Sequence, residues 1–226
     1  MPQLGIKGNL PEIIRNDQNI YEGNLIYYFQ IIFFHSRNLY HPYHNFRHMM
    51  HVFWLCYQAC VYYKDELTPR QMRNLLIASL FHDFDHSGLF GDDDINILRA
   101  IRGLEKYLLE EDKPYLSDIS YLIKVTEYPY TISSEGMELR GLIIRDADLS
   151  QSLNPAWLQQ VVLGLAKEWQ KQPIEVLAMQ GPFHRSFKFH TEWSQKLFPQ
   201  EAVNEKIEEA KELIDLLGMK MQTKMN

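Results

Sequence analysis

Thr68-Pro69-Arg70-Gln71 is where the chain most plainly declares a helix. Thr68 supplies a capping hydroxyl, Pro69 suits the first helical position, and Gln71 completes a capping box. From there Met72, Leu75, Leu76 and Ser79 share one stripe at helical spacing, and His82, Asp83 and His86 continue it. Whatever buries that stripe therefore buries imidazoles and a carboxylate with it. The same period recurs at Leu158, Val161, Val162, Leu165 and Trp169. It returns at Val203, Ile207, Ala210, Ile214 and Leu217, with Gly218 as the stop. Alternating strand patterns, Asn-Gly or Asp-Gly hairpin signals, internal repeats and Pro/Gly/Ser-rich linkers are missing.

The expectation is an all-α chain, a compact multi-helix bundle forming a single domain over 1–226. Helices are expected near 19–38, 45–64, 69–86, 93–111, 116–128, 136–147, 156–170, 174–180, 183–195 and 201–217. With 226 residues, 46% apolar and 23% charged, the chain has enough material for one real core. Lys plus Arg number 23 against 29 Asp plus Glu, a net charge of -6 that argues against a broad nucleic-acid face. The two cysteines, Cys56 and Cys60, lie four apart in an apolar helical stretch and read as core packing. No long apolar span and no basic leader segment is visible, so no membrane contact and a cytoplasmic location are expected.

Five of the nine histidines fall in two short segments. The first is Tyr43-His44-Asn45-Phe46-Arg47-His48, followed by Met49-Met50-His51-Val52; His44 and His48, four apart at a helix start, project on one side. The second is His82-Asp83-Phe84-Asp85-His86-Ser87-Gly88. A third polar piece, Arg145-Asp146-Ala147-Asp148-Leu149-Ser150, closes the apolar run Leu142-Ile143-Ile144. Burying His82 and Asp83 without partners would cost several kcal/mol, on the order usual for unpaired charges. A divalent cation removes that cost, because neutral imidazoles and ionised carboxylates are its ligands, with positions left for water. Taken singly each piece also has a structural reading: His51 as core, Asp146 or Asp148 as a cap or partner of Arg145, and Asp92-Asp93-Asp94 as a solvated loop feeding charge into the next helix. His35, His41, His184 and His190 have no evident partner in the sequence.

Taken together, the order His, His-Asp, distant Asp on a helical chain resembles the HD-domain metal-dependent phosphohydrolases. The closer likeness is to the catalytic core of class I cyclic-nucleotide phosphodiesterases. Tyr43 to Val52 follows that family's Tyr-His-Asn-x-x-His-x-x-x-Val, and His82 to Gly88 its His-Asp-x-x-His-x-Gly. Val125-Thr126-Glu127 is similar to Ala-Thr-Asp, Ala147-Asp148-Leu149-Ser150 to Ala-Asp-Leu-Ser, and Gln180-Gly181-Pro182-Phe183 keeps the Gln and Phe that grip the purine. The resemblance covers about 40–190. It departs at Arg99, which aligns with a glutamate in the family, and in the shortness of the chain.

The resemblance implies that His48, His82, Asp83 and Asp148 hold a first divalent ion (Zn, Mn, Fe or Mg), with Asp83 bridging to a second. It implies His44 as general acid, His86, Thr126 and Glu127 around the second metal's waters, and Tyr43, Gln180 and Phe183 against the substrate. The expected activity is hydrolysis of a nucleotide phosphodiester, cyclic in that family, by in-line attack of a metal-bound hydroxide. Two alternatives stay open: a phosphomonoesterase acting on nucleoside monophosphates or other small phosphate esters, and a metal-bound signalling module without catalysis. The expected partner is a small nucleotide or phosphate ester; oligomeric state is not legible.

Overall fold

The computed structural model describes residues 8–91, 93–186 and 188–217, and every regular element among them is helical. In order these are α1 (Leu10–Arg15), α2 (Ile26–His35), α3 (Phe46–Tyr62), α4 (Pro69–Phe81), α5 (Asp94–Tyr107), α6 (Leu116–Lys124), α7 (Leu139–Leu149), a π-helical turn (Leu158–Val162) running into α8 (Leu163–Glu168), α9 (Pro173–Ser186), α10 (Glu192–Leu197) and α11 (Gln200–Leu216). No helix among the described residues is long and apolar enough to cross a membrane.

The centre of the bundle is α4. Its start is the expected capping box: the Thr68 hydroxyl accepts the Gln71 N–H at 3.2 Å, and the Gln71 side chain accepts the Thr68 N–H at 2.9 Å. Every residue from Met72 to Phe81 is buried, the signature of a helix surrounded on all sides. Helices α2, α3, α5, α6 and α7 pack around it. Cys56 and Cys60 are free thiols in the α3 core, as packing residues should be. A smaller core of Trp157, Val161, Leu165, Val176, Leu177, Ala210 and Ile214 joins α8, α9 and α11.

Several boundaries differ from expectation. The segment expected as a helix over 19–38 is helical only from Ile26, and a separate α1 precedes it. Asn9 caps α1 in a box with Glu12, and Asn16, with φ +62°, ends it. The helix expected to run to 86 stops at Phe81, and Asp85 at φ +59° turns the chain so that His86 leaves the α4 axis. Gly181-Pro182 does not divide two helices: α9 runs through Pro182 to Ser186. The break falls later, before Thr191, whose hydroxyl caps α10 by accepting the Ser194 N–H. Gly218 and Asp92 lie outside the described residues.

One buried ion network, which the sequence did not announce, staples the periphery to α4. Asp112 and Arg73, with side chains 0% and 1% exposed, meet through two hydrogen bonds: Arg73 Nε and Nη2 donate to Asp112 Oδ1 and Oδ2 at 2.8 and 2.7 Å. Arg70 and the Tyr28 hydroxyl donate to the same carboxylate at 2.5 and 2.6 Å. Arg73 Nη1 continues to the carbonyls of Glu22 and Asn24 at 2.9 and 2.8 Å. Gly23 makes this approach possible: it sits at φ +63°, and a Cβ there would lie 3.3 Å from Arg73 Nη1. Burial alone would raise the Asp112 pKa, but Arg73, Tyr28 and Arg70 outweigh it and hold the carboxyl below its ordinary value.

Removing one member of a buried pair leaves the other charge uncompensated, so Asp112→Asn is expected to lose about 3–5 kcal/mol of stability at neutral pH. A depressed folded pKa contributes stability that is present above the unfolded value, about pH 4, and is lost as pH falls through the folded one. Urea midpoints of the wild type and Asp112→Asn should therefore converge as the pH drops below about 4. A gap that stays constant with pH would refute the assignment.

Candidate metal centre

Three helices from separate parts of the chain deliver the side chains. Asn45 starts α3 by accepting the Arg47 and His48 N–H groups at 2.9 and 3.2 Å, which fixes His48 in the first turn facing α4 and α7. His82 and Asp83 follow the last turn of α4, and Asp148 sits at the end of α7. His48 and His82 are both buried.

The hydrogen bonds of the two imidazoles decide where their lone pairs point. His48 Nδ1 donates to the Gln151 side-chain oxygen at 2.6 Å, and His82 Nδ1 donates to the Ser79 carbonyl at 2.8 Å. Each ring is left with Nε2 as the atom that could ligate, and the two Nε2 atoms lie 3.4 Å apart. His48 Nε2 is 3.0 Å from Asp148 Oδ1 and 3.3 Å from Asp83 Oδ2; His82 Nε2 is 3.5 and 3.8 Å from Asp83 Oδ2 and Asp148 Oδ1. Ligands held about 2.0–2.2 Å from one cation stand about 3–3.5 Å apart, so these spacings fit a metal with modest adjustment. His48, His82 and Asp148 each offer a ligand atom within 4.8 Å of the other two, a group that could hold a metal ion.

Two further observations test the fit. Asp83 Oδ2 is buried with no hydrogen-bond donor opposite it, an orphan that a cation would satisfy. Burial would raise the Asp83 pKa, yet His82, His44, His86 and His48 together push it down. At His48 burial works against charge, but Asp148, Asp83 and Gln151 overcome it and push the ring up to about 9. Positive charge is wanted at this point, and the donor set of imidazole nitrogen and carboxylate oxygen suits Zn, Mn or Fe.

The centre opens into a cavity of about 850 Å³. Tyr43, His44, His48, Asp83, His86 and Asp148 line its polar side, and His82 lies behind them. His44 Nδ1 donates to Glu168 Oε1 at 2.5 Å, while Glu168 Oε2 accepts the Tyr43 and His44 backbone N–H groups at 2.7 and 3.1 Å. Burial alone would raise the Glu168 pKa, but His44 and these N–H groups pull it down to about 2. The His44 ring stacks on His86 at 3.7 Å. Burial and this neighbour lower the His44 pKa in spite of Glu168 and Asp83. Across the cavity are Phe90 and Trp169, edge to face at 5.0 Å, and Tyr128 and Phe183 at 5.7 Å. Gln180 lies in the same wall with its side-chain oxygen buried and without a partner.

Most of the expected residues thus meet in one place. Glu127 does not: α6 ends at Lys124, the following turn points Thr126 into the cavity, and Glu127 accepts the Thr131 hydroxyl at 3.2 Å instead. Arg99 is not on the cavity wall either. The side chains beside His86 are Asp93, 3.6 Å from His86 Nε2, and Asn96, whose amide donates to Asp93. Asp93 is therefore not the solvated loop residue expected, whereas Asp94 does sit exposed in the first turn of α5. His51 is half-buried and reaches the Ser150 hydroxyl at 3.0 Å. Asp146 and Asp148 also separate: Asp146 takes the His190 and Thr191 N–H groups and the Thr191 and Ser194 hydroxyls, and leaves the cavity to Asp148. Arg145 pairs with neither; it donates to the Val125 and Ile132 carbonyls.

Gln151 and Glu168 escaped the sequence reading, though each left a trace. Gln151 lies three residues beyond Asp148, on the same side of the turn. Glu168 sits three after Leu165, at the edge of the apolar stripe it interrupts.

The family model for 3'5'-cyclic nucleotide phosphodiesterase matches residues 43–97, the stretch carrying His44, His48, His82, Asp83 and His86 but not Asp148. No curated protein and no solved structure gives a match. Over those residues the chain is similar to a phosphodiesterase-type hydrolase.

Substituting the partner of a ligating histidine typically weakens metal binding 10–100-fold, so Gln151→Leu is expected to do so by about that factor. Gln151→Glu, which keeps an acceptor, should restore most of it. Asp148→Ala and His82→Ala should lose tight binding altogether. Metal content after dialysis against buffered free Zn or Mn reads all four; an unchanged affinity in Gln151→Leu would show that Gln151 does not orient His48.

Proposed function

We propose that the chain is a divalent-metal-dependent phosphodiesterase acting on a nucleotide, with a cyclic nucleotide as the leading substrate class. The observation that carries this is the cavity itself. A point of convergence for two imidazole lone pairs and two carboxylates stands at one side, and an aromatic wall with an unpartnered amide oxygen stands at the other. A phosphate ester joined to a flat base is the ligand with both halves of that chemistry.

His48, His82, Asp83 and Asp148 would hold the first ion, with Asp83 shared toward a second. When bound, such ions supply a water activated at neutral pH and positive charge against the phosphoryl oxygens, which a chain of net charge -6 otherwise lacks. Hydrolysis adds the water oxygen to phosphorus as the ester P–O bond breaks, and the leaving oxygen needs a proton. His44 gives it: Nδ1–H is held by Glu168, so Nε2 is the ring atom left to carry a proton to a bound ester. His86 braces the His44 ring from its other face and Tyr43 packs against its edge at 4.7 Å. Thr126 closes the wall beside them. Phe183, held edge-on by Tyr128, offers its face to a base, and Gln180 supplies a polar partner for the base edge.

The His44–Glu168 pair favours an enzyme over a binding module, because a purely structural metal has no use for a buried, oriented imidazole beside it. The first experiment is product analysis on cyclic nucleotides, linear dinucleotides and nucleoside monophosphates, each with Mn, Mg or Zn and again with chelator. Chelator-sensitive opening of a diester is expected. Consumption of monophosphates alone would establish the phosphomonoesterase instead.

Loss of the acid is expected to reduce turnover about 10²–10⁴-fold in His44→Ala, with metal content unchanged. The loss should shrink on a nitrophenyl ester, whose leaving oxygen needs no proton. Full activity of His44→Ala on an alkyl ester would end the assignment. Phe183→Ala should weaken nucleotide binding by the equivalent of about 1–3 kcal/mol, the usual worth of a base–aromatic stack, read as a rise in KM with kcat largely kept.

A further inference from the structure

Helix α2 is apolar and aromatic all round, although only one of its sides is packed. From Ile26 to His35, Gln30 alone interrupts the run before the closing histidine. Tyr28, Ile31 and Ile32 face the core. Ile26, Gln30, Phe33 and Phe34 fall at the i, i+4, i+7 and i+8 positions of the opposite face, with Tyr27 beside them, and all five are exposed. Phe34 is 71% exposed, and Tyr40, just past the helix, is 95% exposed. Phe33 carries the patch on to Phe46 at the start of α3, the two rings edge to face at 5.5 Å. An apolar helix with one face left in water marks a contact surface.

The charge around the patch says what covers it. The chain holds 29 Asp and Glu, yet none of them falls in residues 23–64, the stretch that contains α2 and α3. Helix α4, packed behind α2, has no acidic residue either. The charged groups at the patch are Arg37, one turn beyond Phe33 and Phe34, and Arg47, next to Phe46; both are exposed. Asp85 accepts the Arg37 backbone N–H at 2.8 Å, but its carboxylate stands 3.9 Å from the guanidinium, and the Arg37 side chain is 83% exposed. An exposed pair this loose leaves the arginine free to meet another anion. A protein of net charge -6 thus carries an aromatic face rimmed by arginines. A second copy would bring the same arginines to the same place, so self-pairing through this face gains nothing from charge.

We propose that the outer face of α2 seats the protein on an anionic lipid surface. Phe33, Phe34 and Tyr40 enter the headgroup region, where aromatic rings are at home, and Arg37 and Arg47 meet the lipid phosphates. Binding of this kind needs no spanning helix: an apolar face lying in the interface plane and basic groups beside it are the two signals that together hold a protein on a bilayer. None of these residues lines the cavity, so the docked protein keeps its metal centre open to solvent. The proposal is independent of which phosphate ester the cavity accepts.

The test uses the full chain and vesicles of phosphatidylcholine with or without phosphatidylserine, read by co-sedimentation. The wild type should bind the phosphatidylserine vesicles well above the neutral ones, and added salt should release it. Phe34→Ala should lower the partition coefficient about tenfold, and Tyr40→Ala should lower it as well. Both side chains are exposed, so the helical circular dichroism of each variant should match the wild type. Arg37→Gln and Arg47→Gln should each weaken binding to the anionic vesicles about fivefold. Failure of the wild type to bind, binding indifferent to phosphatidylserine, or binding that the four variants keep would overturn the proposal. A dimer that Phe34→Ala dissolves and vesicles do not displace would overturn it too, because a second copy would then own the face. None of these readouts involves turnover, so they decide the surface whether or not the proposed function stands.

Discussion

Two imidazole Nε2 atoms 3.4 Å apart, each with its Nδ1–H tied to an oxygen behind it, set the central electrostatic demand of this molecule. Lone pairs facing one another repel, and two carboxylates beside them add to the repulsion. Such a cluster persists only if a cation or a proton sits at the point of convergence, which is why His48 is held so readily in its charged form. The arrangement is imposed by packing. Because α3, α4 and α7 must bury their apolar faces against each other, the polar residues on those faces have nowhere else to go. The core aims the candidate ligands, and a bound cation would in turn lock α3, α4 and α7 together.

The chain contains two kinds of buried charge, and comparing them separates support from chemistry. Asp112 is closed: Arg73, Arg70 and Tyr28 occupy both of its oxygens. Asp146 is closed as well, saturated by backbone N–H groups and hydroxyls that pin α10 to α7. Asp83 is open, with a buried oxygen that no donor reaches. Sequence context alone does not distinguish Asp146 from Asp148, which are two residues apart on one helix, although only Asp146 is fully buried. What distinguishes them is direction: about 200° of helical rotation sends one into a hydrogen-bonded corner and the other into the cavity.

Legibility follows the same division. The candidate ligands were readable because their spacing is local: His48 after a cap, His82-Asp83 on a helical stripe, Asp148 at the close of an apolar run. Gln151 and Glu168 were not, because their importance depends on which ring they face across 103 and 124 residues of chain. Asp93 was read as solvated since three consecutive aspartates look like a surface run; only the turn at Asp85 brings His86 to it. Pro182 was read as a boundary on local grounds. In the structure α9 carries it, on the cavity wall, and keeps Gln180 and Phe183 on one helix at fixed separation. That rigidity is a tertiary gain that propensity alone does not foresee.

The crowding of histidines on one wall has a consequence for how the site works. His44, His48, His82 and His86 all bear on the same carboxylate, Asp83. Charge placed anywhere in this group is felt by the rest, because the rings stand close together in a largely buried wall. A cation bound near His48 and His82 favours the neutral form of every neighbouring imidazole. Glu168 is the counterweight: buried, ionised and bonded to His44 Nδ1, it favours positive charge on the ring proposed to deliver a proton. Without that carboxylate, a cation bound at the proposed centre would disfavour a proton on His44. On the proposed roles, acid and metal could work at one wall because α8 brings Glu168 against His44, which is outside the candidate ligand set.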